Sequence, residues 1–105
     1  MIKVEFNSSA GLLTGFKMHG HSGYAEQGAD IVCAAASSAA YMTANTMTEI
    51  IGIDPEITVD DGLMEIKLTQ KDAEKAKVIM DGFHLHMLSL QEQYSKYIRL
   101  KTSEV

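Results

Sequence analysis

The chain of 105 residues has one cysteine, one proline and no tryptophan. A single cysteine cannot close an internal disulfide, so no disulfide framework holds this protein together. A single proline, with 46% hydrophobic residues, describes an ordinary globular chain rather than a disordered one. Also missing is an apolar run long enough to span a bilayer. The opening Met1-Ile2-Lys3-Val4-Glu5-Phe6 lacks the apolar core of a secretory signal. A cytoplasmic protein without membrane association is therefore expected. Positive charge is scarce: 9 lysines and arginines stand against 14 aspartates and glutamates, a formal net charge of −5. Affinity for nucleic acid comes mainly from neutralising phosphates, so this balance disfavours direct nucleic-acid binding. It suits a basic protein partner instead.

The length predicts one domain, 1–105, with a modest core in two layers. Ile2, Val4 and Phe6 alternate with Lys3 and Glu5, which reads as a strand. Residues 7–11 read as a turn, and residues 12–19 resume an extended pattern, so the two segments form a hairpin. Residues 20–29 form a glycine-containing loop. Asp30 is placed as the N-cap of a helix that runs to about Ile51, where Gly52 and Pro55 stop it. Residues 34–40 of that helix are all alanine or serine, which allows close approach of a sheet, a second subunit or a bound peptide. Residues 56–60 and 63–68 read as strands joined by Asp61-Gly62, the preferred pair for a tight hairpin. Thr69-Gln70-Lys71-Asp72 resembles a capping box for a second helix over 71–92, and residues 95–101 read as a last strand. The order ββαββαβ predicts an α/β (α+β) fold, a mixed sheet covered by two helices. Strand order is not readable from the pattern.

The segment from Gly20 to Ser38 carries the chemistry. Cysteine attacks as the thiolate. With Asp30 as N-cap, Cys33 falls in the first helical turn, where the helix dipole favours the charged form by about 0.3–1 kcal/mol. His21 sits in the glycine-rich loop leading into the helix, long enough to fold back and serve as a general base. Asp30 either caps the helix or also orients His21. Against this stands the plain alternative that a lone cysteine in an alanine-rich helix is a small buried residue. A zinc set of His19, His21 and Cys33 lacks a fourth ligand and the usual spacing, so no metal or cofactor is expected. His84 and His86, two apart on a helix, do not share a face and read as structural or surface residues. Met42, Met47, Met80 and Met87 read as core filling.

The run Gly20-His21-Ser22-Gly23-Tyr24, followed by Gly28-x-Asp30-x-x-Cys33-x-x-x-Ser37-Ser38, resembles the signature of the Prp family, ribosomal-processing cysteine proteases of Firmicutes and related bacteria. The likeness covers nearly the whole chain. It implies a catalytic His21 and a nucleophilic Cys33, with Asp30 and Ser37 as the motif's aspartate and serine. It also implies a homodimer, a mobile loop beside the site, and removal of a short N-terminal extension from the large-subunit ribosomal protein numbered twenty-seven in the bacterial series. On that mechanism, amides at the helix start hold the oxyanion. Gly20, Ser37 and Tyr24 are candidates for substrate contact. Ser37, four residues after Cys33 on the same helical face, either touches substrate or fills a close-packed spot. Tyr24 either stacks on a substrate side chain or covers the core edge. The rival function is a non-catalytic ribosome-associated binding module with Cys33 buried.

Overall fold

A computed structural model describes residues 1–20 and 27–105, with residues 27–30 described by their backbone alone. Nine elements follow one another among the described residues: β1 (Ile2–Ser9), β2 (Leu12–His19), α1 (Gln27–Asn45), a π-helical segment (Thr46–Ile51) that continues it, β3 (Glu56–Asp60), β4 (Leu63–Lys67), α2 (Gln70–Lys75), α3 (Lys77–Gln93) and β5 (Ile98–Glu104). The strands form one five-stranded sheet in the order β3-β4-β2-β1-β5. Only β1 and β5 are parallel; the other pairs are antiparallel, so the sheet is mixed as expected.

Period-two alternation sorts the strands into two faces. Ile2, Val4, Phe6, Phe16, Met18, Met64, Ile66 and Ile98 are buried beneath the helices. Lys3, Glu5, Lys17, His19, Arg99 and Lys101 share the opposite, helix-free face through their cross-strand pairing. Under the helices, the ring of Phe83 on α3 lies 4.6 Å from Phe16 and 5.7 Å from Phe6, centroid to centroid. Such tilted pairs add about 0.5–1.5 kcal/mol each beyond area burial. His84 packs edge-on against Phe6 at 4.6 Å, a structural role, and His86 is exposed. Met47, Met80 and Met87 fill the core, but Met42 is 52% exposed and does not.

Local chemistry accounts for most boundaries and for some of the departures from expectation. The first hairpin turns on Ala10-Gly11 alone, both at positive φ. Asn7 to Ser9, read as turn residues, instead pair with β2 across a bulge, because the ladder offers their backbone groups partners. Asp61-Gly62 turns β3 into β4, with Gly62 at φ 67°. Thr69 caps α2 by accepting the Asp72 amide at 3.2 Å. The single helix expected over 71–92 is broken at Ala76 (φ −94°, ψ 5°), giving three helices rather than two. Alanine is the best helix former, so nothing in its type marks that break. The last strand begins at Ile98, because residues 94–97 form a turn closed by Tyr97 N–H on the Tyr94 carbonyl at 2.9 Å.

The first long helix also differs at both ends. Its last turn, residues 46–51, is π-helical and closes on Gly52, whose φ is 80° and whose amide donates to the Met47 carbonyl at 3.0 Å. Thr43 and Thr46 donate back to the Ala39 and Met42 carbonyls at 2.8 Å each, side-chain bonding that commonly bends a helix. Of the small residues, Ala36, Ala40 and Ala44, four apart, are buried in the core, and α1 lies against α3. Among the described residues no helix is long and apolar enough to cross a membrane.

Two substitutions probe this frame. Phe83→Ala is expected to cost about 3–5 kcal/mol, read as a lower urea midpoint. Gly20 has φ +91°, and a Cβ there would stand 2.4 Å from the Met1 carbonyl oxygen. Gly20→Ala is therefore expected to destabilise by about 1–3 kcal/mol in the same assay, and an unchanged midpoint would contradict this backbone conformation.

Candidate active site

Cys33 is the free cysteine, half-buried on the core side of the sheet. It opens onto a cleft of about 260 Å³. One wall is a stripe of α1: Cys33, Ala36, Ser37 and Tyr41. Spacings of three and four residues place these side chains on one side of a helix. The floor is strand, formed by Ile2, Met18 and Met64. Met18 and Met64 are register partners on β2 and β4, and Val59 of β3 continues that row to the cleft's edge. The far wall is the β3–β4 turn, Asp60 to Leu63.

One hydrogen bond sets the relation of these parts. The Gly20 amide donates to the Gly62 carbonyl at 3.0 Å, tying the end of β2 to the β3–β4 turn. Gly20 itself lines the cleft. The chain thus leaves the sheet for His21 from a fixed point on the cleft rim. Only glycine fits there, because the left-handed φ and the nearby Met1 carbonyl both exclude a side chain.

The site residues expected from the sequence fare differently. Cys33, Ser37 and Gly20 come together in the cleft. His21 and Tyr24 lie outside the described residues. The helix begins at Gln27, so the backbone of Asp30 is inside its first turn and Asp30 is not the N-cap. Cys33 correspondingly stands in the second turn rather than the first. The free amides of residues 27–29 lie about 6–9 Å back along the axis from the Cys33 Cα. The cause of the early start is local: Gln27 and Ala29 are good helix formers, and Gly28 permits continuation at a cost of about 1 kcal/mol.

His19 faces away from the cleft. Its Nε2 is 2.9 Å from Glu5 Oε2 on the helix-free face of the sheet, so the combination of His19 with Cys33 as metal ligands does not assemble. Among the described residues, the charged groups lining the cleft are Asp60 and Asp61, and the Asp61 amide donates to Asp60 Oδ1 at 2.7 Å.

Sequence reasoning missed Tyr41 and the β3–β4 turn. Tyr41 had a readable signal, since it continues the Cys33, Ser37 step of four. The turn had none, because its nearness to Cys33 depends on β4 pairing with β2.

Comparison with known proteins follows the same outline. Residues 1–99 match the family model described as cysteine protease Prp. The ribosomal processing cysteine protease Prp of Staphylococcus aureus is 30% identical over 103 residues, covering 95% of this chain and 97% of that protein. Its Bacillus subtilis counterpart is 26% identical over 94 residues, 84% of each chain. A crystal structure of the S. aureus protease with a substrate peptide superposes with a TM-score of 0.90 at 28% identity, covering 98% of this chain and 100% of that one. Another, with a covalently linked product peptide, gives 0.86 at 29% identity, with the same coverage. A family match over almost the full length, on a fold with a cysteine opening into a cleft, leads to one conclusion: this chain belongs to the Prp family of cysteine proteases.

Proposed function

We propose that this protein removes the N-terminal extension of a large-subunit ribosomal protein, number twenty-seven of the bacterial series, with Cys33 as nucleophile and His21 as its base. The observation that carries this reading is Cys33 at the wall of an open cleft, in a family where a relative has been crystallised with a covalently linked product peptide. The names of the curated relatives support a ribosomal substrate.

In this mechanism His21 takes the thiol proton and the sulfur attacks the scissile carbonyl carbon. The carbon–nitrogen bond breaks, and the imidazolium returns its proton to the departing amine. Water then attacks the thioester, releasing the carboxyl product and restoring the thiol. Gly20 supplies the anchor from which His21 departs, and Ser37 and Tyr41 flank the bound peptide on the α1 side. With its capping role removed, Asp30 supports the His21 imidazolium. Tyr24 contacts the peptide from the loop. The protein works in the cytoplasm as a homodimer. Val78 and Leu85, seven apart on α3 and 87% and 66% exposed, give the helix layer apolar surface consistent with a second copy.

Incubation with the extended ribosomal protein, read by intact mass, tests the reading. Wild type is expected to release a short N-terminal peptide, and Cys33→Ala to release none; an unchanged mass with both rejects the proposal. Iodoacetamide is expected to modify native Cys33 without denaturant, more slowly in His21→Ala. A thiol that reacts only after unfolding would favour the binding-module alternative. Asp30→Asn is expected to lower kcat at least about tenfold, or 1.4 kcal/mol, with little change in stability.

A further inference from the structure

We propose that the helix-free face of the sheet, where β1 lies between β2 and β5, is a docking surface for the phosphate backbone of duplex RNA. Two rows of side chains cross this face. His19, Lys3 and Arg99 are register partners in one row; Lys17, Glu5 and Lys101 are partners in the next. Each row spans about 10 Å, and the rows are about 7 Å apart. Across these three strands Glu5 is the only acid in the two rows, and its carboxylate is engaged by His19 at 2.9 Å; on β4 the rows continue as Leu63 and Glu65. Lys17 faces Glu65 of β4 on its other side. Lys3, Arg99 and Lys101 are exposed and form no ion pair with another described residue. Lys3 and Arg99 stand directly opposite each other, a like-charge pairing that costs stability and that solvent-facing positions do not require for folding. A concavity lies among Lys3, Glu5, His19, Arg99 and Lys101, with Val4 and Leu100 also lining it.

The chemistry of this surface selects its partner. Across β2, β1 and β5 neither row contains an apolar side chain, whereas a protein interface needs an apolar, desolvated centre. A phosphate backbone needs only cations at intervals, and duplex RNA is recognised largely through its shape and backbone. The net charge of −5 argues against nucleic acid only if charge is spread evenly. Here Asp54, Glu56, Asp60 and Asp61 gather at or beside β3, three strands from β1. That is about 14 Å away, beyond the screening length of about 8 Å at physiological salt. The choice of RNA over DNA rests on the proposed ribosomal substrate; the surface itself does not.

Fluorescence polarisation of a labelled RNA duplex with the full chain tests this. Saturable binding is expected at about 50 mM salt, weakening about 30- to 40-fold at 200 mM if three phosphates are neutralised. Lys3→Glu/Arg99→Glu is expected to weaken binding at least about tenfold, and the neutral Lys3→Gln/Arg99→Gln pair to weaken it in the same direction. Both should leave cleavage of an isolated peptide unchanged, which also confirms folding. No binding at low salt, equal binding by the variants, or tighter binding to a DNA duplex or to polyglutamate overturns the proposal. Binding is read without cleavage, so a chain that holds RNA but cuts nothing keeps this surface and removes only the protease substrate reading.

Discussion

The Gly20 amide joins the end of β2 to the turn between β3 and β4, and the cleft is built around that tie. Its 3.0 Å bond to the Gly62 carbonyl holds the far wall. The Met1 carbonyl, close enough to exclude a Cβ, holds the N-terminus against the same point. Three distant stretches of chain thus converge at one residue without a side chain. A net worth of about 1 kcal/mol is typical of one hydrogen bond. Its importance here is geometric, because it fixes the point from which the chain sets out towards His21.

Cys33 is placed by a different device. Cys33 is presented from the side of α1, in its second turn, rather than from the helix end. Helical side chains lean back towards the N-terminus, so the cysteine side chain leans over the first turn. The same face of α1 supplies Ser37 and Tyr41, so one helix contributes the thiol and the wall together.

Charge follows the sheet's alternation. The period that buries Val4 and Phe6 drives Lys3 and Glu5 outward, and pairing with β5 adds Arg99 and Lys101 beside them. An acidic chain consequently carries a local basic face, with four of its 14 acidic residues at the opposite edge. Composition averages over that separation.

The hairpins, the N-cap at Thr69 and the glycine stop at residue 52 were legible because each is fixed by neighbours in sequence: a turn pair, a hydroxyl three residues from an amide, a residue tolerant of positive φ. A loop histidine ahead of a helix cysteine was legible as a motif, with His21 outside the described residues. The start of α1 at Gln27 was not, since Asp30 is a good cap by type and only the surrounding chain decides whether the helix has already begun. The break at Ala76 was equally silent. By itself the sequence determined the alternation of faces and the single thiol with its candidate base. Tertiary structure alone decided that β4 lies beside β2, bringing the Asp61-Gly62 turn to Cys33, and that β5 lies beside β1, gathering cations into rows. Strand order is a choice among non-local pairings that local pattern leaves open, and it is settled only when the whole sheet closes over one core.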